Sequence, residues 1–141
     1  MARIALAQTD ADLLRCFPVV AELRPHFTQE QFLERIRRQR EAGRHLAFVE
    51  DAGEIRCVAI YRILENLAWG RFLYVDDLVT TEAARSKGWG RRLFAWLVGQ
   101  ARHQGCDQLH LDSGVHRFGA HRFYLRAGMD ITCHHFALKL R

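Results

Sequence analysis

The segment RSKGWGRR, Arg85–Arg92, places four cationic side chains and two glycines within eight residues. A strand-like apolar run, RFLYVDDLVTT, precedes the segment, and apolar residues at helical spacing follow it. Glycines permit tight turns and let the backbone approach a ligand closely. The N-terminus of a helix offers unpaired N–H groups and a favourable dipole to an anion. The segment therefore predicts a phosphate-binding turn, and the alternative is a plain strand-to-helix turn beside solvated cations.

Two common phosphate-binding motifs do not fit this segment. A Walker loop needs a lysine directly after its second glycine, whereas Lys87 precedes Gly88. A dinucleotide-binding fingerprint needs a third glycine, and Gly88-Trp-Gly90 is followed by Arg-Arg-Leu. What remains is the pattern R-x-x-G-x-G, from Arg85 to Gly90, between a strand and a helix.

The rest of the chain alternates between strand-like and helix-like patterns. Strands are predicted at 2–8, 45–50, 55–64, 71–81, 108–115 and 130–140, and helices at 11–27 (broken or kinked at Pro18), from Thr28 to Gly43, at 87–104 and at 117–128. Thr28 and Gln31 have the spacing of a capping box, and Gly43 and Gly105 are placed to end helices. This order predicts an α/β fold with a central mixed, twisted β-sheet flanked by about four α-helices.

The length and the net charge of the chain indicate its domain organisation and its partners. At 141 residues, without a linker or repeat, the chain is predicted to be a single domain over residues 1–141. The net charge of +5 is compatible with nucleic acid but does not require it. The basic run ERIRRQR at 34–40 also contains acids nearby and is typical of a solvated helix face. We therefore expect no nucleic-acid partner.

The cysteines and the N-terminus bear on location. Four cysteines are far apart in the sequence and show no C-x-x-C spacing, so we expect reduced and mostly buried thiols. No signal-like segment opens the chain, and no apolar run is long enough to span a membrane. These features predict a cytoplasmic location and no membrane partner.

The sequence resembles the GNAT superfamily of acetyl-CoA-dependent N-acetyltransferases. R-x-x-G-x-G at 85–90 matches the superfamily's pyrophosphate-binding signature, and AHRFYLRAGM, Ala120–Met129, is similar to its second block. Arg117 stands where the superfamily often has an asparagine, and Met129 where it usually has a phenylalanine. The element order also matches, so the resemblance covers nearly the whole chain and implies a GNAT-like fold.

The resemblance implies a set of cofactor-binding residues. Acetyl-CoA would be the co-substrate, with its pyrophosphate in the loop and its pantetheine arm along the preceding strand. The Leu78 N–H would bind the oxyanion of the tetrahedral intermediate. The implied residues are Leu78, Val79, Thr80, Arg85, Ser86, Lys87, Gly88, Trp89, Gly90 and Arg91.

Three side chains are candidates for proton transfer. Tyr124 stands at the tyrosine of the second block, so the resemblance makes it the acid for the departing thiolate, although it could instead be a core aromatic. The base could be Asp76, Asp77 or a water path, and strand alternation predicts that the two carboxylates point to opposite faces.

No histidine or cysteine spacing indicates a metal site. His121 could line the acceptor pocket or serve in packing.

We therefore expect an N-acetyltransferase that acetylates a primary amine, favouring a small molecule, by direct transfer in a ternary complex. A protein N-terminus or lysine as acceptor, and a non-catalytic acyl-CoA-binding module, are the alternatives. Acceptor selection is expected from the N-terminal helices and the loop after the third predicted strand, and a homodimer is compatible with the resemblance. The residues singled out for this role are Phe17, Arg24, His26, Phe27, Glu65, Asn66 and Trp69. The alternative for the aromatic residues among them is a place in the core.

Overall fold

The computed structural model describes residues 2–141 and contains five strands and four α-helices within them. The strands are β1 (Arg3–Leu6), β2 (Arg44–Asp51), β3 (Glu54–Asn66), β4 (Gly70–Thr80) and β5 (Gln108–Leu111). The helices are α1 (Asp10–Leu23), α2 (Gln29–Glu41), α3 (Trp89–His103) and α4 (Phe118–Arg126), with a 3-10 turn at Glu82–Ala84. The α/β fold with a flanked sheet is confirmed. Within residues 2–141, no helix is both long and apolar enough to cross a membrane.

The ends of α2 follow the local sequence signals. Thr28 accepts a hydrogen bond from the Gln31 N–H at 3.2 Å, and the Gln31 side chain accepts one from the Thr28 N–H at 2.9 Å. This is the predicted capping box, which satisfies donors that the helix leaves unpaired. Gly43 follows the C-terminus with a φ of +99°, a conformation that glycine adopts without a steric penalty. Both predictions for this helix are confirmed.

Helix α1 differs from its prediction at Pro18 and at its end. Pro18 lies inside one continuous helix, so a break there is wrong, whereas the alternative of a kink stays a prediction. The helix ends at Leu23 rather than extending to Phe27, and the Arg24 N–H donates to the Val20 carbonyl at 2.9 Å. Pro25 explains this end, because a proline disfavours helical backbone at the residue before it.

The sheet order follows the chain order, β1-β2-β3-β4-β5. Strands β1 to β4 are antiparallel neighbours. Helix α3 connects β4 to β5, which is the connection required when neighbouring strands run parallel. The strand next to the glycine loop, β4, is therefore an interior strand of the sheet.

Residue alternation assigns the two faces of the sheet to different helices. Leu46 and Ile60 belong to a buried cluster with Leu13 of α1 and Ile36 of α2. Tyr61 points to the other face, where its ring lies 6.1 Å from that of Trp96 in α3. Burying one large apolar side chain such as Leu13 contributes about 1.5–3 kcal/mol. Both faces are thus covered, and the core holds β3 and β4 in place.

The backbone forms two compact units, one ending at His110 and the other comprising Leu111–Arg141. The second unit contains α4, and the prediction of one domain over residues 1–141 stays a prediction. Residues 129–141 form no regular secondary structure, so the predicted strand at 130–140 is wrong. Alternation shows only which residues could share a strand face, whereas a strand also needs a hydrogen-bonded neighbour. Ile131, Phe136, Leu138 and Leu140 of this segment are exposed.

Candidate acetyl-transfer site

The glycine loop joins the end of β4 to the first turn of α3. Gly88 is the N-cap of α3 and has a φ of +84°, and Ser86 has a φ of +65°. No side chain caps this helix, so its first N–H groups have no capping partner. A Cβ placed on Gly88 would meet no described atom within 4 Å, so the space beside Gly88 is open. The loop has the geometry of an anion site at a helix N-terminus.

The cations of the loop differ in what they contact. The Arg85 Nε donates to the Thr80 carbonyl at 3.4 Å, which ties this side chain to the end of β4. The Arg92 guanidinium lies 5.2 Å from the centre of the Trp89 ring. Lys87 and Arg91 are exposed, and neither has an acidic partner among residues 2–141. The loop therefore carries positive charge that no acid in the described chain offsets.

Glu22 of α1 holds the backbone just before this loop. Its carboxylate accepts hydrogen bonds from the Thr81 hydroxyl at 2.5 Å and from the Glu82 N–H at 2.8 Å. These bonds connect α1 to the 3-10 turn that leads into the loop. Nothing in the local sequence indicates this role, because Glu22 is 59 residues from Thr81 along the chain.

The outer edge of β4 is open at its C-terminal end. The Thr81 N–H donates to the Arg56 carbonyl of β3 at 2.9 Å. Because N–H groups alternate between the two edges of a strand, those of Leu78 and Thr80 point away from β3. On that side β5 begins next to Arg71, where the Asp107 N–H donates to the Arg71 carbonyl at 2.7 Å, and β5 has only four residues. It is too short to reach Leu78, so these two N–H groups face an unpaired edge.

A β-bulge in β4 brings the two acidic residues to one face of the sheet. Ile60 pairs with Asp77 and Tyr61 with Val75, so Asp76 is an extra residue in β4. Asp77 points to the α1–α2 face, as Ile60 does. Asp76 contacts Arg44 and Arg62, whose positions two residues from Leu46 and Ile60 place them on that same face.

The prediction that the carboxylates point to opposite faces is therefore wrong. Strict alternation holds only in a regular strand, and the extra residue shifts the alternation by one position.

The two carboxylates have different surroundings. Asp77 accepts from Arg24 Nη2 at 2.6 Å and from Arg24 Nε at 2.9 Å. The Asp76 carboxylate lies 3.3 Å from Arg62 Nη2 and 3.4 Å from Arg44 Nε, and its Oδ2 makes no hydrogen bond. Burial raises the pKa of Asp76 above its usual range, although the two guanidinium groups lower it in part. A raised pKa makes Asp76 a better proton acceptor near neutral pH.

A cavity of about 300 Å³ lies on the α1–α2 face beside Asp77. Arg24, His26 and Phe27, three of the residues expected to select the acceptor, line it. Its remaining lining residues are Val20, Phe32, Arg35, Ile36, Gln39, Ile60 and Asp77. The volume suits a small molecule.

The other expected acceptor residues serve in packing and in a turn. Phe17 packs against Phe32, with ring centres 5.2 Å apart. Asn66 accepts from the Trp69 N–H at 2.7 Å, and the Trp69 ring stacks on His110 at 3.6 Å. Neither Trp69, Asn66 nor the neighbouring Glu65 lines the cavity.

The comparisons with known proteins agree with this geometry. A family model described as "Acetyltransferase (GNAT) family" matches residues 6–129. This chain belongs to the GNAT acetyltransferase family. An uncharacterized N-acetyltransferase of Bacillus subtilis (strain 168) is 35% identical to this GNAT chain over 111 residues, 77% of each protein. The chain is an N-acetyltransferase, and the predicted family and enzyme class are confirmed.

Two further proteins resemble this GNAT enzyme in sequence or fold. Glucosamine 6-phosphate N-acetyltransferase 1 of Oryza sativa subsp. japonica is 33% identical over 110 residues, 74% of this chain and 65% of that protein. An aminoglycoside N-acetyltransferase in complex with CoA has a TM-score of 0.86 at 12% identity, over 100% of this chain and 97% of that one. The second likeness shows the shared fold alone.

Tyr124 lies in α4, within the second unit of this acetyltransferase. It is half-buried, and its ring centre lies 5.3 Å from that of Phe123. His121, one turn earlier, has its Nε2 2.8 Å from the Gly114 carbonyl oxygen, so it packs inside the same unit. The role of Tyr124 as the acid stays a prediction.

No cluster of three or more histidine, cysteine or acidic residues with metal-binding geometry occurs within residues 2–141 of this GNAT chain. His135 Nδ1 lies 3.3 Å from the Asp112 carboxylate. All four cysteines are free thiols. Cys16 and Cys57 are buried, whereas Cys106 is half-buried and Cys133 is exposed. The expectation of mostly buried thiols thus holds only for the first two.

Sequence reasoning missed the partners of the two carboxylates. Arg44 and Arg62 were not among the candidates, and Arg24 was expected only in acceptor selection. They come from β2, β3 and the end of α1, so no local motif joins them to Asp76 and Asp77. The β2–β3 and β3–β4 registers bring Arg44 and Arg62 to Asp76, and the packing of α1 against the sheet brings Arg24 to Asp77.

Proposed function

We propose that this enzyme transfers the acetyl group of acetyl-CoA to the primary amine of a small molecule, by direct attack in a ternary complex. The proposal rests on one observation: the open edge of β4 lies between the glycine loop and the pair of acidic residues. The cationic loop at Gly88 follows this edge, and the Asp76–Asp77 bulge with its cavity precedes it. The cavity of about 300 Å³ and the glucosamine 6-phosphate named for a relative support a small acceptor.

The loop and the strand edge would bind acetyl-CoA. The N–H groups at the start of α3 bind the pyrophosphate, and Arg85, Lys87 and Arg91 offset its charge. Gly88 and Gly90 permit the close approach, and Ser86 and Trp89 complete the loop. The pantetheine arm lies along Val79 and Thr80 as an added strand. In this arrangement the thioester carbonyl is next to the outward N–H of Leu78.

The reaction needs three contributions from the protein. The amine nitrogen attacks the thioester carbonyl carbon, and the Leu78 N–H stabilises the oxyanion that forms. Asp76 takes the proton that the amine must lose, since its raised pKa suits a base, and Asp77 orients the amine. The C–S bond then breaks, and Tyr124 protonates the departing thiolate. No enzyme-bound acetyl intermediate is required.

Titration of the protein with acetyl-CoA tests the binding half of this proposal. Gly88→Asp is expected to abolish binding, because it adds an anion where the pyrophosphate would lie. Gly43→Asp is the matched control, since Gly43 also has a positive φ and open space around its Cβ but lies after α2. Equal loss of binding in both variants would contradict the loop's role. Folded wild-type protein that binds no acetyl-CoA would overturn the proposal.

Turnover measurements test the acid. Tyr124→Phe is expected to lower kcat while the Kd for acetyl-CoA stays near the wild-type value. Unchanged kcat would remove Tyr124 from the mechanism.

The cytoplasm is the location we propose for this enzyme, because its cysteines are free thiols and acetyl-CoA is an intracellular co-substrate. Fractionation of the cells that produce it would test this, and recovery outside the cytoplasmic fraction would contradict it.

A further inference from the structure

The cavity beside Asp77 carries a positive charge that the protein does not neutralise. Its ionisable lining residues are Arg24, His26, Arg35 and Asp77. Asp77 is the only acid among them, and it already makes two hydrogen bonds to Arg24. Arg35 is therefore left without a countercharge in the cavity lining.

The glutamates of α2, Glu30, Glu34 and Glu41, form no ion pair with Arg35. Its neighbours one turn away on the helix are Gln31, Phe32, Arg38 and Gln39, none of which is acidic. No acid within residues 2–141 forms an ion pair with Arg35. A cationic side chain at the wall of a cavity, without an acidic partner, favours an anionic ligand there.

The guanidinium group of Arg35 contacts an aromatic side chain of the cavity lining. Its guanidinium carbon lies 4.9 Å from the centre of the Phe27 ring, which also lines the cavity. Stacking on an aromatic ring occupies the face of the guanidinium, whereas its N–H donors lie in its plane. These donors have the fork geometry that matches phosphate and carboxylate oxygens.

We propose that the acceptor of this enzyme is a small amine that also carries an anionic group, phosphate or carboxylate, and that Arg35 binds this group. The amine then lies toward Asp77, which is the only acid among the described residues that line the cavity. A simple protonated amine would be repelled by the uncompensated Arg35, whereas an added anion offsets that charge. This inference rests on the proposed function, because it names the acceptor class for the same site.

Matched pairs of amines test the acceptor class. Phosphoethanolamine is compared with ethanolamine, and β-alanine with propylamine, at saturating acetyl-CoA. We expect kcat/KM to be about tenfold or more higher for the anionic member of at least one pair, the size of effect that a charge-assisted hydrogen bond gives. The pair that shows the preference distinguishes phosphate from carboxylate. Equal or better use, in both pairs, of the member that lacks the anionic group would overturn the inference.

Two variants of α2 locate the effect. In Arg35→Gln the preference for the anionic amine is expected to fall about tenfold, toward a ratio of one. Arg35 and Arg38 are both exposed, but only Arg35 lines the cavity, so Arg38→Gln removes the same charge from the same helix and should keep the wild-type ratio. Thermal unfolding of both variants checks that they fold. Equal loss of preference in the two variants would show a general charge effect and would overturn the role of Arg35.

Direct binding separates this inference from the proposed function. If none of the four amines is acetylated, phosphoethanolamine and β-alanine are titrated into the CoA-bound protein. Binding that weakens in Arg35→Gln and not in Arg38→Gln would support the inference, and absence of binding would overturn it. The proposed function fails on a different result, namely no binding of acetyl-CoA to the folded protein.

Discussion

Replacing Gly88, the N-cap of α3, and Gly99, in the interior of α3, by alanine should change stability in opposite directions. Gly88 has a φ of +84°, and Gly99 lies in the helix interior with ordinary helical backbone. An added Cβ meets nothing within 4 Å at either position, so no clash enters the comparison. A left-handed conformation costs a residue with a Cβ about 1–2 kcal/mol. Alanine in a helix interior is more stable than glycine by about 0.5–1 kcal/mol.

Gly88→Ala should therefore lower the free energy of unfolding by about 1–2 kcal/mol, and Gly99→Ala should raise it by about 0.5–1 kcal/mol. Urea unfolding followed by circular dichroism measures both, and the change should appear in the midpoint rather than in the slope. Gly88→Asn should recover part of the loss, because asparagine tolerates the left-handed region. A Gly88→Ala protein as stable as the wild type would refute the assigned backbone conformation of the loop. Destabilisation by Gly99→Ala would refute the argument from open space.

The remaining predictions concern the cap of α2, the thiols and the base. Thr28→Ala should lower the free energy of unfolding by about 1 kcal/mol in urea melts, because the capping box is lost, and an unchanged midpoint would contradict this. Iodoacetamide should modify exposed Cys133 before Cys16, since burial raises the pKa of Cys16 to about 12. Peptide mass spectrometry of the native protein after labelling measures this order, and earlier modification of Cys16 would contradict the prediction. If Asp76 is the base, kcat/KM falls as the pH drops through its raised pKa, because a protonated carboxyl group cannot accept a proton. Asp76→Asn should remove this fall in kcat/KM at low pH, and Asp77→Asn should keep it. If the fall persists in Asp76→Asn, the titrating group is not Asp76.

The candidate site was predictable from sequence where its parts are local. The loop around Gly88 is continuous in the chain, so the glycine spacing and the cations were visible as one motif. The resemblance to the GNAT superfamily rested on this loop and on the block around Tyr124, and the family model confirms it across residues 6–129. The partners of the carboxylates were not predictable in this way. Arg24 is 53 residues from Asp77, and only the packing of α1 against the sheet joins them.

The predicted strand at 130–140 was wrong for a related reason, because its formation also depends on residues distant in the sequence. The sequence alternates as a strand does, yet residues 129–141 form none. Local propensity specifies which backbone conformations are accessible, and a hydrogen-bonded neighbour decides whether a strand exists.

The sequence by itself determined the ends of α2, the turn at Gly88 and the order of helices and strands as far as α4. These features depend on a residue and its near neighbours: a hydroxyl three residues from an N–H, or a glycine where φ is positive. The tertiary structure alone decided that Asp76 and Asp77 share one face and that Arg35 lacks a countercharge beside the cavity. A bulge depends on how many residues of one strand oppose those of its neighbour, and a countercharge depends on which distant side chains packing brings within reach.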